Sequence, residues 1–100
     1  MSEKIEIENI NTGRIQRVDA EKYMAMREAL LAVLPGEDPG VTIARAKAAL
    51  LPLLPPNLFP QGKTAGWWLK AVQLDLEAKR LISRGPIKPV HLRLGRRGSL

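Results

Sequence analysis

A proline-free apolar helix that runs almost without a spacer into a short basic hairpin, between Lys63 and Leu94, restricts the folds open to this chain more than any other stretch. Thr64 is placed to accept from the free N–H groups of a first turn, and the straight-chain residues from Leu69 to Lys79 favour helical backbone. The pattern predicts a helix over Ala65 to Arg80. Beyond Leu81, Ile82, Ser83 and Arg84 the chain turns through Gly85, Pro86, Ile87, Lys88 and Pro89. Val90, Leu92 and Leu94 then alternate with His91 and Arg93 at the period of a half-buried strand. Pairing Arg84 with Val90, Ser83 with His91 and Ile82 with Leu92 gives a hairpin with Ile82 and Leu92 on one face and Ser83 and His91 on the other.

At 100 residues and 45% apolar content the chain is one domain, able to bury about 65% of its unfolded surface. The absence of cysteine removes disulfides, thiolate metal sites and thiol catalysis from consideration. No apolar run approaches the roughly 20 residues of a spanning helix, and the opening MSEKIEIEN is too acidic and polar for a signal peptide. A soluble, cytoplasmic protein with no membrane partner is therefore expected. The net charge of +6 is unevenly spread: residues 1–60 carry seven Lys/Arg against eight Asp/Glu, and residues 61–100 carry nine against two. The excess falls on the helix, hairpin and tail, where it either meets a phosphate backbone or only keeps a small protein in solution.

Upstream, Lys4 to Ile10 alternates acidic and β-branched residues, Asn11, Thr12 and Gly13 supply turn chemistry, and Arg14 to Val18 resumes an extended pattern. This predicts a hairpin with a three-residue loop, Gly13 left-handed, and a bulge to reconcile Ile10 and Ile15 with Ile5, Ile7 and Val18. Asp19 caps a helix over Ala20 to Leu34, whose arc of Tyr23, Met24, Met26, Leu30, Leu31, Val33 and Leu34 makes a core face. Arg27 lies within that arc and must snorkel outward or find a carboxylate, and Asp75 near the buried side of the last helix is the expected partner. Thr42 caps a second helix that places Ile43, Ala46, Leu50 and Leu54 on one side and ends near Leu50, before Pro52. Residues 35–60 hold six of the eight prolines, a connection from which Leu58 and Phe59 are expected to plug into the core.

The order is hairpin, three helices, hairpin, an α+β domain. Leu76, Glu77, Leu81, Ile82, Arg84, Pro89, Leu92 and Leu94 resemble the end of the third helix and the wing of winged helix-turn-helix proteins, where a Leu-Glu-x-x-Gly-Leu-Ile-x-Arg run is common. Arg80 stands here where that run has glycine. The chain also resembles a group of small uncharacterised bacterial proteins with a similar AVQLDLEAKRLI segment. The resemblance implies a winged-helix-like domain over residues 1–95, with a hairpin at 1–18, three helices within 19–80 and a wing at 81–95. A flexible tail at 96–100 completes the chain.

Around the third helix, Ala65, Leu69, Val72 and Leu76 cluster on one side of Trp68, while Trp67, Ala71, Leu74 and Ala78 cluster on the other. A narrow polar strip of Gly66, Lys70, Gln73 and Glu77 remains, led by Lys63. In a winged helix that strip faces the major groove of double-stranded DNA, with Lys63 and Lys70 on phosphates or guanine edges and Gln73 on adenine. The same resemblance implies that Arg84, Lys88 and Arg93 on the wing take phosphates or enter a minor groove. The plainer alternative makes the strip only the solvated face of a central helix. A second functional reading gives Trp67 and Leu74 to an exposed patch for a protein partner or a homodimer, against the alternative that the N-terminal hairpin covers Trp67 as core. Catalysis is not expected: His91 stands alone, there is no paired-ligand spacing or phosphate loop, and Asp75 and Glu77 point about 200° apart. No cofactor, metal or small-molecule substrate is implied.

Overall fold

A computed structural model describes residues 3–37, 39–85 and 89–95, and the chain opens in it on the expected hairpin. Strand β1, Lys4–Glu8, pairs antiparallel with β2, Ile15–Asp19, in unbroken register from Lys4 opposite Asp19 to Glu8 opposite Ile15. Ile5, Ile7 and Val18 share the inward face. The expected bulge is not formed. Ile15 and Val18 are an odd number of residues apart, so a regular strand can bury only one, and Ile15 is 62% exposed. The loop is closed by the Asn9 N–H on the Arg14 carbonyl at 2.9 Å and spans Ile10 to Gly13, one residue more than expected, with Gly13 at φ +72°.

Helix α1, Ala20–Val33, starts where Asp19 accepts from the Lys22 N–H at 3.0 Å. Its buried residues are Tyr23, Met26, Ala29 and Leu30, so the core face is turned toward Ala29. Met24, expected in the arc, is exposed because it lies roughly 150° from the centre of that face at 100° per residue. Thr42 caps α2, Ile43–Leu50, by accepting from the Arg45 N–H at 3.2 Å. The chain passes straight on into a 3₁₀ turn at Leu51–Leu53 around Pro52. Phe59 is buried and Leu58 partly so, as expected of the proline-rich connection.

Helix α3 covers Ala65–Ala78. Thr64 does not cap it. Its backbone is left-handed at φ +61° and its hydroxyl donates to the Lys63 carbonyl, so the first-turn N–H groups have no side-chain acceptor. At the other end β4, Ile82–Arg84, and β5, His91–Leu94, pair antiparallel, with Ile82 opposite Leu94 and Arg84 opposite Leu92. The register differs by two residues from the expected one. The Gly85 N–H donates to the His91 carbonyl at 2.8 Å, so pairing continues past Arg84. A shift of two keeps every side chain on its expected face.

One strand is not legible in the sequence pattern. Val41–Thr42, β3, pairs antiparallel with Leu92 and His91 and extends the C-terminal sheet to the order β3-β5-β4. Gly40 makes this possible: it sits at φ +84°, and a Cβ there would meet the Leu92 carbonyl oxygen at 2.3 Å. Met26, Leu30, Leu50, Val72, Leu76, Ile82 and Leu92 form the fully buried centre, which joins all three helices to this sheet.

The turn from α3 into β4 is a Schellman motif built on the wrong residue. The Leu81 N–H donates to the Leu76 carbonyl at 2.9 Å and the Arg80 N–H to the Glu77 carbonyl at 3.1 Å, with Arg80 left-handed at φ +64°. The tight turn therefore forms although arginine stands at the glycine position, at a backbone cost of about 1 kcal/mol. Arg80 is exposed, and its side chain makes no hydrogen bond or ion pair among the described residues. Arg80→Gly is expected to stabilise the protein by about 1 kcal/mol, a rise of roughly 4–8 °C in melting temperature. Thermal unfolding followed by circular dichroism measures it, and an unchanged or lowered midpoint would contradict it.

Candidate functional site

The C-terminal half of α3 buries two carboxylates on opposite sides. Asp75 is fully buried and faces the N-terminal elements: Oδ1 accepts from the Glu8 N–H at 2.9 Å, Oδ2 accepts from the Tyr23 hydroxyl at 2.6 Å, and Lys79 closes an ion pair on Oδ2. The Lys79 ammonium also lies 5.5 Å from the centre of the Tyr23 ring. Burial, then the hydrogen bond to Asp75 and its negative charge, push the Tyr23 phenol well above its ordinary range, while the charge of Arg27 acts in the opposite direction. The expected Arg27–Asp75 pair is not made. Asp75 has its partners in Tyr23, Lys79 and the end of β1, and Arg27 stays half-buried.

Glu77 faces the C-terminal sheet. Arg84 binds it bidentately, Nε to Oε1 at 2.7 Å and Nη2 to Oε2 at 2.9 Å, and the Gln73 amide donates to Oε2 at 2.8 Å. The hydrogen bond to Glu77 raises the pKa of the Arg84 guanidinium further. Gln73 is only 5% exposed and its amide nitrogen is turned to Glu77. Sequence periodicity assigns Gln73 and Glu77 to a solvated strip; instead they and Arg84 form an internal network.

The remaining candidate residues separate into distinct settings. Lys63 and Lys70 are exposed, and neither makes an ion pair among the described residues. Arg93 is half-buried and donates to the Leu94 carbonyl at 3.3 Å. Lys88 lies outside the described residues, as does the tail with Arg96 and Arg97. Trp67 is 51% exposed, so the hairpin does not cover it as core, whereas Leu74 is buried and adds nothing to an exposed patch. His91 Nδ1 donates to the Pro89 carbonyl at 2.7 Å. No cluster of three or more potential metal ligands occurs among the described residues, and no helix there is long and apolar enough to cross a membrane.

Two adjoining hollows, of about 320 and 410 Å³, open over the first half of α3 and share Gly66, Lys70 and Leu74 in their linings. One lies between α3 and the N-terminal hairpin, with Arg14 and Trp67 on its walls; the other lies toward α2, with Lys47 and Arg84. Together they form a groove floored by α3. Gly66 brings the Lys47 ammonium over the start of the helix, for a Cβ on it would stand 3.4 Å from that nitrogen. Arg14, Lys47, Lys70 and Arg84 line the groove with amides from Asn9, Asn11, Gln16 and Gln73 and with apolar residues such as Ile7 and Ile43, and no carboxylate among the described residues lines it. Arg14, Lys47 and the hairpin amides escape a reading of the sequence because they lie in its acidic half. Only the packing of that hairpin on one side of α3 and of α2 on the other brings them to the basic helix.

Fold and groove together define a small α+β domain, three helices between two antiparallel sheets, that presents a basic groove over its last helix. The chain belongs to a family of unknown function, DUF6958, whose model matches residues 4–92. Comparison with curated proteins and with solved structures gave no match.

Tyr23 is the chain's one tyrosine, so its ionisation can be followed without interference through the tyrosinate absorption band. Below about pH 10 the phenol is protonated in both the folded and the unfolded chain, and the contribution of its hydrogen bond is fully present. Above that value the unfolded chain releases its proton first, so stability falls as pH rises. The native protein is expected to titrate well above its urea-unfolded form, and superimposed titrations would contradict the buried pairing. Asp75→Ala should shrink the difference and cost about 3 kcal/mol in urea unfolding, because the Tyr23 hydroxyl and the Glu8 N–H both lose their acceptor.

Proposed function

We propose that the chain is a nucleic-acid-binding module of winged-helix type, and that the groove over α3 is where it meets the sugar-phosphate backbone. The observation that carries this is the composition of the groove: Arg14, Lys47 and Lys70 with an exposed tryptophan, and no carboxylate among the described residues that line it. Asp75 and Glu77 are the two acidic residues of the chain's C-terminal 40, and each is neutralised by an internal partner, so neither opposes a polyanion. Three helices followed directly by antiparallel strands is the order a winged-helix reading requires, and β3 adds a third strand to the wing sheet. The reading carries with it a cytoplasmic location and fits a transcriptional regulator better than an enzyme. A second reading, a protein-interaction or dimerisation surface, is favoured by the half-exposed Trp67 alone.

Titration of a labelled oligonucleotide at several salt concentrations tests the proposal. Affinity should fall with salt at a log-log slope of roughly −0.7 to −0.9 per phosphate contacted. Lys70→Ala should flatten the slope by about one contact while changing stability by less than about 0.5 kcal/mol, since Lys70 is exposed and unpaired among the described residues. Absence of binding at low salt would end the nucleic-acid reading. Self-association lost in a stable Trp67→Ala variant, with Lys70→Ala behaving as wild type, would favour the second one.

A further inference from the structure

We propose that the groove takes a single strand of nucleic acid in preference to a duplex, with one base stacked on Trp67 and the backbone running past Arg14, Lys70 and Lys47. This rests on the nucleic-acid reading and narrows it.

Shape supplies the first reason. An α-helix reads a duplex by projecting into a major groove about 12 Å wide, which its own 10–12 Å diameter nearly fills. The exposed strip of α3 has no such freedom. Gly66, Lys70 and Leu74 are the common floor of both hollows, flanked by Asn9, Arg14 and Gln16 of the hairpin region on one side and by Ile43 and Lys47 on the other. With the hairpin on one side and α2 on the other, this strip has less room to enter a groove of its own width than a free-standing helix, whereas a single strand needs only a channel.

The groups available in the channel give the second. Paired hydrogen bonds to adenine in a duplex would fall to Gln73, whose amide is turned to Glu77, and Arg84 of β4 is bound to the same carboxylate. What remains outward is a platform and a set of cations. Trp67 stands edge-on to Trp68 at 5.1 Å and 81°, and Trp68 stands edge-on to Phe59 at 6.5 Å and 85°. Trp68 and Phe59 are buried, so the half-exposed Trp67 ring is held by a fixed aromatic stack. An open ring face is of use to a base that is free of its neighbours; in a duplex the bases already stack on one another. Aromatic platforms beside tracking cations are the means by which single strands are held with little regard to sequence.

The test uses the full chain with a short oligothymidylate and with a duplex of the same length, read by anisotropy and by tryptophan fluorescence. The single strand is expected to bind at least about tenfold more tightly than the duplex and to quench the exposed tryptophan. Trp67→Ala should weaken single-strand binding about tenfold or more, and Trp67→Phe should retain most of it. Because Trp67 is half-exposed, both variants should keep the wild-type circular dichroism spectrum, and Trp67→Phe retains a ring at the site should the alanine variant fail to fold. Duplex bound as tightly as the single strand, or single-strand affinity unchanged in Trp67→Ala, overturns the inference and leaves the nucleic-acid reading standing. Binding of neither overturns both.

Discussion

Two buried carboxylates on one helix hold this structure together. Asp75 and Glu77 are two residues apart and so point about 200° apart around α3. That separation, which rules them out as a catalytic pair, lets one helix tie down two sheets. Asp75 reaches the end of β1 and the first turn of α1; Glu77 reaches Arg84 on β4. A carboxylate taken out of water costs several kcal/mol unless its oxygens are met, and both are met by multiple donors. Their main effect is on arrangement. The hairpin could slide along an apolar helix face with little change in buried area, but the Glu8 N–H finds Oδ1 of Asp75 in only one position.

The same pairing shapes the electrostatics. Removing a base and an acid together from the surface leaves net charge unchanged, but it changes where the charge can be felt. With Lys79 and Arg84 committed to carboxylates, the groove over the first half of α3 keeps Lys70, Lys47 and Arg14 without an ion pair among the described residues. They come from three elements, so the basic groove is a property of the packing and not of any one segment. A charge count by halves of the chain finds the basic excess and misses the groove, because Arg14 and Lys47 belong to the half that sums to −1.

Elements with strong local signals were legible in the sequence. Asp19 and Thr42 cap the helices they were expected to cap, and the alternation from Val90 to Leu94 gave a strand. The failures have physical causes. Thr64 has the right side chain for a cap, yet its backbone is left-handed and its hydroxyl turns to the preceding carbonyl. The strand β3 is two residues long and exists only because Gly40 lets the chain lie against Leu92, a contact between distant positions that no periodicity reports. Gln73 and Glu77 follow the polar spacing of an exposed strip, but helical periodicity describes direction and not cover, and Arg84 supplied the cover from β4. The exposed Trp67 and the buried Leu74 fall on the same predicted side; the difference is that the hairpin packs beside the second turn of the helix and beyond, leaving the first turn open.

That last asymmetry divides α3 into two stretches with different tasks. From Val72 to Glu77 every residue is buried, and the helix serves as the axis on which both sheets are fixed. From Lys63 to Lys70 the exposed positions are Lys63, Thr64, Gly66, Trp67 and Lys70, while Ala65, Trp68 and Leu69 hold the helix to the core. A surface tryptophan exposes apolar area that folding would otherwise hide, and here the hollow it walls sets Arg14, Lys70 and the amides of Asn9 and Gln16 beside the apolar Ile7, Ala71 and Leu74. Under the proposed single-strand reading, the Trp67 ring beside Arg14 and Lys70 would complement a base joined to its phosphate, a task that the buried second half of α3 could not share.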